Sequence, residues 1–216
     1  ALTASFLIAG ISAYRILRGD NKKAPQLALK TAVFVAALLM PLQIFVGDLH
    51  GLNTLEYQPQ KIAAMEGVWE TQKGVPLLLF AIPDEENRTN HFEIAIPNIT
   101  SIILTHDPEG EIQGLNDFIG EHPPVAPLFY GFRIMVGMGM LMLTIAWFTS
   151  FKLVRNKQLS KGVLYGLVGM SFSGWIATLA GWYVTEIGRQ PYLVSGLLKT
   201  SDAVTDIAPE NVIFTF

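Results

Sequence analysis

Long apolar stretches alternate in this chain with one long polar block. Residues 31–47 and 162–185 carry no charged side chain and 127–150 carry only Arg133, whereas 48–126 hold 13 of the 18 acids. A bilayer core takes about 20 helical residues to cross. The pattern therefore predicts four spans: residues 1–17, 30–47 (with Pro41 placed to kink it), 127–151 and 162–186. Within the polar block, "EYQPQKIAAMEGVWETQ" sets Ile62, Met65 and Trp69 at i, i+3 and i+7, the spacing of an amphipathic helix. The following "GVPLLLFAIPDEENRTNHFEIAIPNITSIILTH" has short apolar runs cut by Pro and Asn, which predicts extended segments and turns.

The expected fold class is an all-α polytopic membrane protein: a transmembrane helix bundle with an extramembrane loop of mixed short helix and extended segments. The expected organisation is two transmembrane helices in 1–47, an external loop in 48–126, two transmembrane helices in 127–186, and an external segment in 187–216 leading to a truncated further helix. The short loops set the orientation. Residues 18–30 carry Arg18, Lys22, Lys23 and Lys30 against one acid, and 152–161 carry Lys152, Arg155, Lys157 and Lys161 against none. The positive-inside rule makes both cytoplasmic and places the 48–126 segment outside. The chain opens at Ala1 inside an apolar pattern without a basic leader, and "NVIFTF" reads as the start of another helix, so a piece of a longer membrane protein is expected.

Composition agrees and narrows the chemistry. Charged residues make up 15% of the chain, against about 25% in soluble domains. The net charge is −3, and no basic cluster suggests nucleic acid binding. With no cysteine there is no disulfide, thiolate metal site or cysteine nucleophile.

Ionisable groups in or beside a span are functional candidates. Arg133 falls about 9–10 Å below the rim of the third span at 1.5 Å per residue, where it either snorkels or meets an anionic group. Met135 is either a packing residue or a thioether ligand for haem iron. His50, His91, His106 and His122 all lie outside the spans, so none of the spans supplies it with a histidine partner. Glu186 closes an apolar helix where the helix dipole favours a cation, which calls for a partner, and Arg189 follows one turn later. Lys61 and Glu66, on the amphipathic segment, read either as solvated charges or as a cation and base for a quinol headgroup.

Together, "QKIAAMEGVWET", "PLFYGFRIM" and "AGWYVTEIGRQPY", with "GISAYRILRG", "VGDLHG" and "SDAV" in the same order, resemble subunit I of the cytochrome bd quinol oxidases. The resemblance covers essentially the whole chain. It implies the fifth to eighth of nine transmembrane helices, with 48–126 as a short quinol-binding Q-loop. It implies that Lys61 and Glu66 serve quinol oxidation and that Met135 is an axial ligand of low-spin haem b, with Arg133 supporting that haem. It implies that Glu186 ligates the high-spin haem b of the pair it forms with haem d, with Trp182 and Arg189 lining the region and Arg189 facing a propionate. The histidine ligands and proton-path acids belong upstream of Ala1. Tyr192 stands where the family frequently has Trp. The implied protein is a bacterial cytoplasmic-membrane enzyme that oxidises quinol and reduces dioxygen to water. Its partners are subunit II, small accessory subunits, the remaining helices of subunit I and membrane lipid. The alternatives are a transporter or channel piece using Arg133 and Glu186 as an intramembrane charge pair, and a haem-free scaffold subunit.

Overall fold

The structure is a computed structural model that describes residues 1–20, 22–194 and 196–203. In chain order the helices and strands are α1 (Leu2–Leu17), α2 (Lys23–Tyr57), α3 (Pro59–Glu66), β1 (Gln72–Lys73), β2 (Leu77–Asp84), β3 (Thr89–Ile96), α4 (Ile99–Thr105), β4 (Glu111–Ile112), α5 (Val125–Val154), α6 (Lys161–Gly169), α7 (Ser173–Ile187), β5 (Tyr192–Val194) and β6 (Leu198–Lys199). Three helical stretches, Lys23–Tyr57, Val125–Val154 and Lys161–Ile187, are long and apolar enough to cross a membrane, and α1 is a shorter apolar helix beside them. Only 22%, 17% and 33% of their most apolar windows are buried, so most of their apolar surface faces outward, as a lipid-embedded bundle requires.

Small residues hold the bundle together. Ala9, Ala13, Ala32, Ala36 and Ala146 are buried where helices meet, since in lipid close backbone approach and packing replace the hydrophobic drive. Gly174 lets α7 lie on α1: a Cβ there would come within 2.7 Å of the Thr3 backbone.

Three elements differ from the sequence pattern. The fourth span is not one helix; it breaks at Met170–Phe172 between α6 and α7. Ser171 Oγ donates to the Val168 carbonyl (2.6 Å) and Ser173 Oγ to that of Met170 (2.7 Å), so hydroxyls compete for the helix's own acceptors. The helix holding Pro41 runs on to Tyr57, ten residues past the expected rim at 47. Proline has no N–H for the carbonyl four residues back, and Trp147 Nε1 on α5 supplies one, donating to the Ala37 carbonyl at 3.0 Å. The amphipathic helix stops at Glu66 instead of reaching Trp69, because Gly67 turns left-handed (φ 69°) and ends it.

The rest of the loop follows the expected mixture, with one added helix, α4. β2 and β3 form an antiparallel hairpin, and β1 pairs with β4. The loop has its own core, in which Ile62, Met65, Val68, Trp69, Val75, Ile112 and Leu115 pack on Val125 and Leu128 of α5 and Val184 of α7. It is thus seated on the two helices that carry the candidate ligands. Past α7, β5 and β6 make a short hairpin; the expected helix at "NVIFTF" lies outside the described residues.

Candidate functional site

Local chain chemistry places Lys61 and Glu66. Pro59 starts α3, where its missing N–H is not needed, and Gly67 ends it. Both charged side chains are carried inward with the helix and are buried, Lys61 to 8% exposure and Glu66 to 6%. Neither is a solvated surface charge.

Arg133 meets Glu66. From α5 its Nη2 donates to Glu66 Oε2 at 3.3 Å. Its Nη1 donates to the Met65 carbonyl (2.6 Å) and the Phe129 carbonyl (3.2 Å), and its Nε donates to the Leu78 carbonyl of β2 (2.7 Å). The guanidinium carbon also lies 3.4 Å from the Phe129 ring centroid. Protein acceptors take up the cation, which therefore neither snorkels nor forms the charge pair with Glu186 that a transporter reading requires. Two further bonds tie the same hairpin to α5. Tyr130 Oη donates to the Ala81 carbonyl (3.0 Å), and the Val125 amide at the helix start donates to Glu85 (2.8 Å), where a carboxylate complements the dipole.

Burial sets the ionisation of the loop pair. Desolvation raises the Glu66 carboxyl above its ordinary range, and the Arg133 cation only partly offsets it. Lys61 is lowered, first by desolvation and then by the nearby Arg189 cation, with Glu186 pulling the other way. Both groups are thus shifted toward their neutral forms, the direction that brings an acid–base pair nearer to neutral pH.

At the end of α7, Glu186 and Arg189 form an ion pair with each other, and both remain substantially exposed. Gly188 between them is buried, and a Cβ there would meet Lys61 Cε at 2.6 Å. The lysine stem therefore runs directly under the Glu186–Arg189 turn. Trp182 is exposed on α7. Met135, two positions after Arg133, is half-buried, with its Sδ against Gly181: a Cβ there would stand 2.8 Å from the sulfur. Gly181 lies five residues before Glu186, roughly 7.5 Å along the helix.

The structure thus brings Lys61, Glu66, Arg133, Glu186 and Arg189 to one end of the bundle, with Met135 about one turn below. The donor chemistry fits haem in part. Met135 offers a thioether with no polar partner among the described residues and Glu186 an exposed carboxylate, each a single ligand from one wall. No group of three or more His, Asp or Glu is gathered among the described residues. His91 pairs with Asp84 (3.2 Å), and His122 Nδ1 lies 3.0 Å from its neighbour's carbonyl, Pro123 O.

Sequence reasoning missed the residues that fasten the far side of α3. Trp69 Nε1 donates to Asn90 Oδ1, and Asn90 Nδ2 donates to the Gly67 carbonyl, both at 2.9 Å. They border a polar cavity of about 420 Å³ beside Glu66 that Arg88 and Glu93 also line. Asn90 lies within a turn-rich run, where a half-buried bridging amide leaves no periodic signal.

The family described as cytochrome bd terminal oxidase subunit I matches the chain over residues 1–216. Cytochrome bd ubiquinol oxidase subunit 1 of Bacillus subtilis is 32% identical over 99% of this chain and 48% of its own length. A putative cytochrome bd menaquinol oxidase subunit I of the same organism is 29% identical over 100% of this chain and 50% of its own. Among solved structures, the bd oxidase from Geobacillus thermodenitrificans superimposes with a TM-score of 0.88 at 30% identity, over 99% of this chain and 50% of that one. The chain spans about half the length of the curated relatives it matches.

Proposed function

The chain belongs to the cytochrome bd terminal oxidase subunit I family, and from that premise we propose that it forms the quinol-oxidising half of a terminal respiratory oxidase. The complete enzyme takes electrons from a quinol and reduces dioxygen to water. It works with the remaining helices of subunit I, with subunit II and with small accessory subunits, in a bacterial cytoplasmic membrane. The loop from about residue 48 to 126 is its quinol-binding segment, on the outer face opposite the basic ends of the spans.

One observation carries this reading: the buried pair on α3 touches both helices that bear a candidate iron ligand. Glu66 is held by Arg133, two residues before Met135, and Lys61 runs under the turn between Glu186 and Arg189. Met135 is proposed to ligate a low-spin haem b and Glu186 a high-spin haem b, with Arg189 and Trp182 beside the latter and haem d completing the oxygen-reducing pair. When bound, these groups supply one-electron transfer and the site of oxygen reduction.

The chain's own residues handle the quinol. Glu66 lines the 420 Å³ cavity and accepts a hydroxyl proton, Arg133 keeps the Glu66 carboxylate in place, and Lys61, outside that lining and under the Glu186–Arg189 turn, orients a headgroup oxygen from the α7 side. Arg133 is thus read as a positioning residue that also ties the loop to the Met135 helix. The relatives carry ubiquinol in one name and menaquinol in another, and the proposal extends to quinols as a class.

The test is Lys61→Met in the complete enzyme. Met keeps the apolar stem and removes a buried cation, so the loop should hold while quinol-dependent oxygen uptake falls at least tenfold with haem content unchanged. Wild-type uptake would remove Lys61 from the reaction.

A further inference from the structure

At the end of the bundle farthest from the loop, a cavity of about 370 Å³ lies between α5 and α6. One wall is a single face of α5, with Ile145, Phe148, Thr149 and Lys152 at helical spacing; the other is the start of α6, from Ser160 to Gly166. Gly162 and Gly166 keep that second wall low. A Cβ at Gly162 would meet nothing within 4 Å, and one at Gly166 only Ile145 Cδ1 at 3.9 Å.

Three features at this groove point to a ligand. The first is charge: Lys152, Arg155, Lys157 and Lys161 fall within ten residues that hold no acid. None of the four is in a salt bridge among the described residues. Lys152 and Arg155 instead fold back over Phe148 and Phe151, at 4.6 and 4.2 Å from the ring centroids. The second is the start of α6, where Ser160 makes no side-chain cap, so the first-turn amides receive no side-chain acceptor.

The third is Thr149. It is fully buried in the groove wall, and its Oγ1 has no hydrogen-bond partner among the described residues. Threonines elsewhere in these helices bond the carbonyl four residues back: Thr144 to Met140, Thr178 to Gly174 and Thr185 to Gly181. Thr149 leaves the Ile145 carbonyl alone, and its Oγ1, like the neighbouring Ser150 Oγ, is buried without a partner among the described residues, so an acceptor reaches it only where the groove wall parts.

We propose that this groove is a binding site for an anionic phospholipid. An acyl chain lies between α5 and α6 over the two glycines. The phosphate sits among Lys152, Lys161 and the first amides of α6, and a glycerol ester carbonyl accepts from Thr149. A free anion would satisfy the cations and leave the apolar groove empty; a zwitterionic lipid would fill the groove and place a second cation among lysines. The site is at the opposite end from the proposed quinol chemistry and stands independently of it.

The complete oxidase complex provides the test. It is exchanged into phosphatidylcholine nanodiscs with and without phosphatidylglycerol, and retained lipid is counted by native mass spectrometry. Wild type should retain phosphatidylglycerol at least fivefold over phosphatidylcholine. The double variant Lys152→Gln/Lys161→Gln and the groove-filling Gly166→Leu should each remove that preference, with haem content and oxygen uptake unchanged. Because the two lysines are replaced at the rim, the double variant keeps the test open if Gly166→Leu does not assemble. Equal retention of both lipids by wild type, or wild-type preference in the double variant, overturns the proposal. So does displacement of phosphatidylglycerol by millimolar inorganic phosphate, which would make the site one for a free anion.

Discussion

Replacing Arg133 with Leu removes the group on which the loop is hung. The side chain makes four donor contacts, three to carbonyls (Met65, Phe129, Leu78) and one to the Glu66 carboxylate. Deleting one partner of a buried ion pair costs about 3–5 kcal/mol, because the other charge stays buried without compensation. The Phe129 carbonyl keeps its own helix bond, so the loss falls on the junction of α3 and β2 with α5. That junction opens locally, and hydrogen exchange in the complete enzyme reads the opening directly. The amides of Gly67 and Val68, both bonded to the Ala63 carbonyl, and of Leu115, bonded to that of Val68, are the reporters. Their exchange should quicken by about 100-fold to several thousand-fold, since each 1.4 kcal/mol is tenfold, with amides mid-way along α5 unchanged. The size should depend on pH. The folded-state pKa of Glu66 lies above its unfolded value, so its stability contribution is fully present below the ordinary 4.5 and is lost as pH rises through the raised value. Arg133 opposes that loss, and without it the carboxyl rises further, so the deficit should be smaller near pH 5 than near pH 8. An exchange increase below threefold would refute the clamp. An increase of equal size at both pH values would refute the ion pair as its source and leave the carbonyl bonds alone.

Three further outcomes are expected in the complete enzyme. Met135→Leu conserves volume, so stability should change by less than about 1.5 kcal/mol while the low-spin b-haem spectrum disappears; an intact spectrum would sink the ligand assignment. Glu186→Ala leaves Arg189 unpaired at an exposed turn and should disturb the high-spin b-haem band, with wild-type haem content and oxygen uptake as the contrary result. Gly181→Ala sets a methyl 2.8 Å from Met135 Sδ. The flexible thioether yields at a cost of about 1 kcal/mol, so the low-spin band should shift while the melting temperature falls by no more than about 4 °C, and an unmoved band would separate Met135 from that haem.

Glu186 announced itself because an acid at a helix C-terminus opposes the dipole. Met135 and Lys61 became candidates of weight through motifs alone, since four methionines in "MVGMGMLML" and its neighbours look alike by composition. Arg133 stands out by its depth in the third span, yet its partner is not legible along the chain. Glu66 lies 67 positions away, across a proline-rich loop. Nor did any pattern in the loop mark Asn90, which bridges Trp69 to Gly67.

What the sequence determined by itself was everything that depends on a run of residues: where apolar stretches reach bilayer length, which ends are basic, and where the polar block lies. Transfer into lipid is a sum over consecutive side chains, and a sum over neighbours is readable along a line. The tertiary structure decided what depends on partners. It broke the fourth span where Ser171 and Ser173 take helix carbonyls, carried α2 through Pro41 by lending Trp147 to Ala37, and folded the loop so that Glu66 found Arg133. A hydrogen bond is short-ranged and directional, so its partner is fixed only once distant segments are brought within about 3 Å.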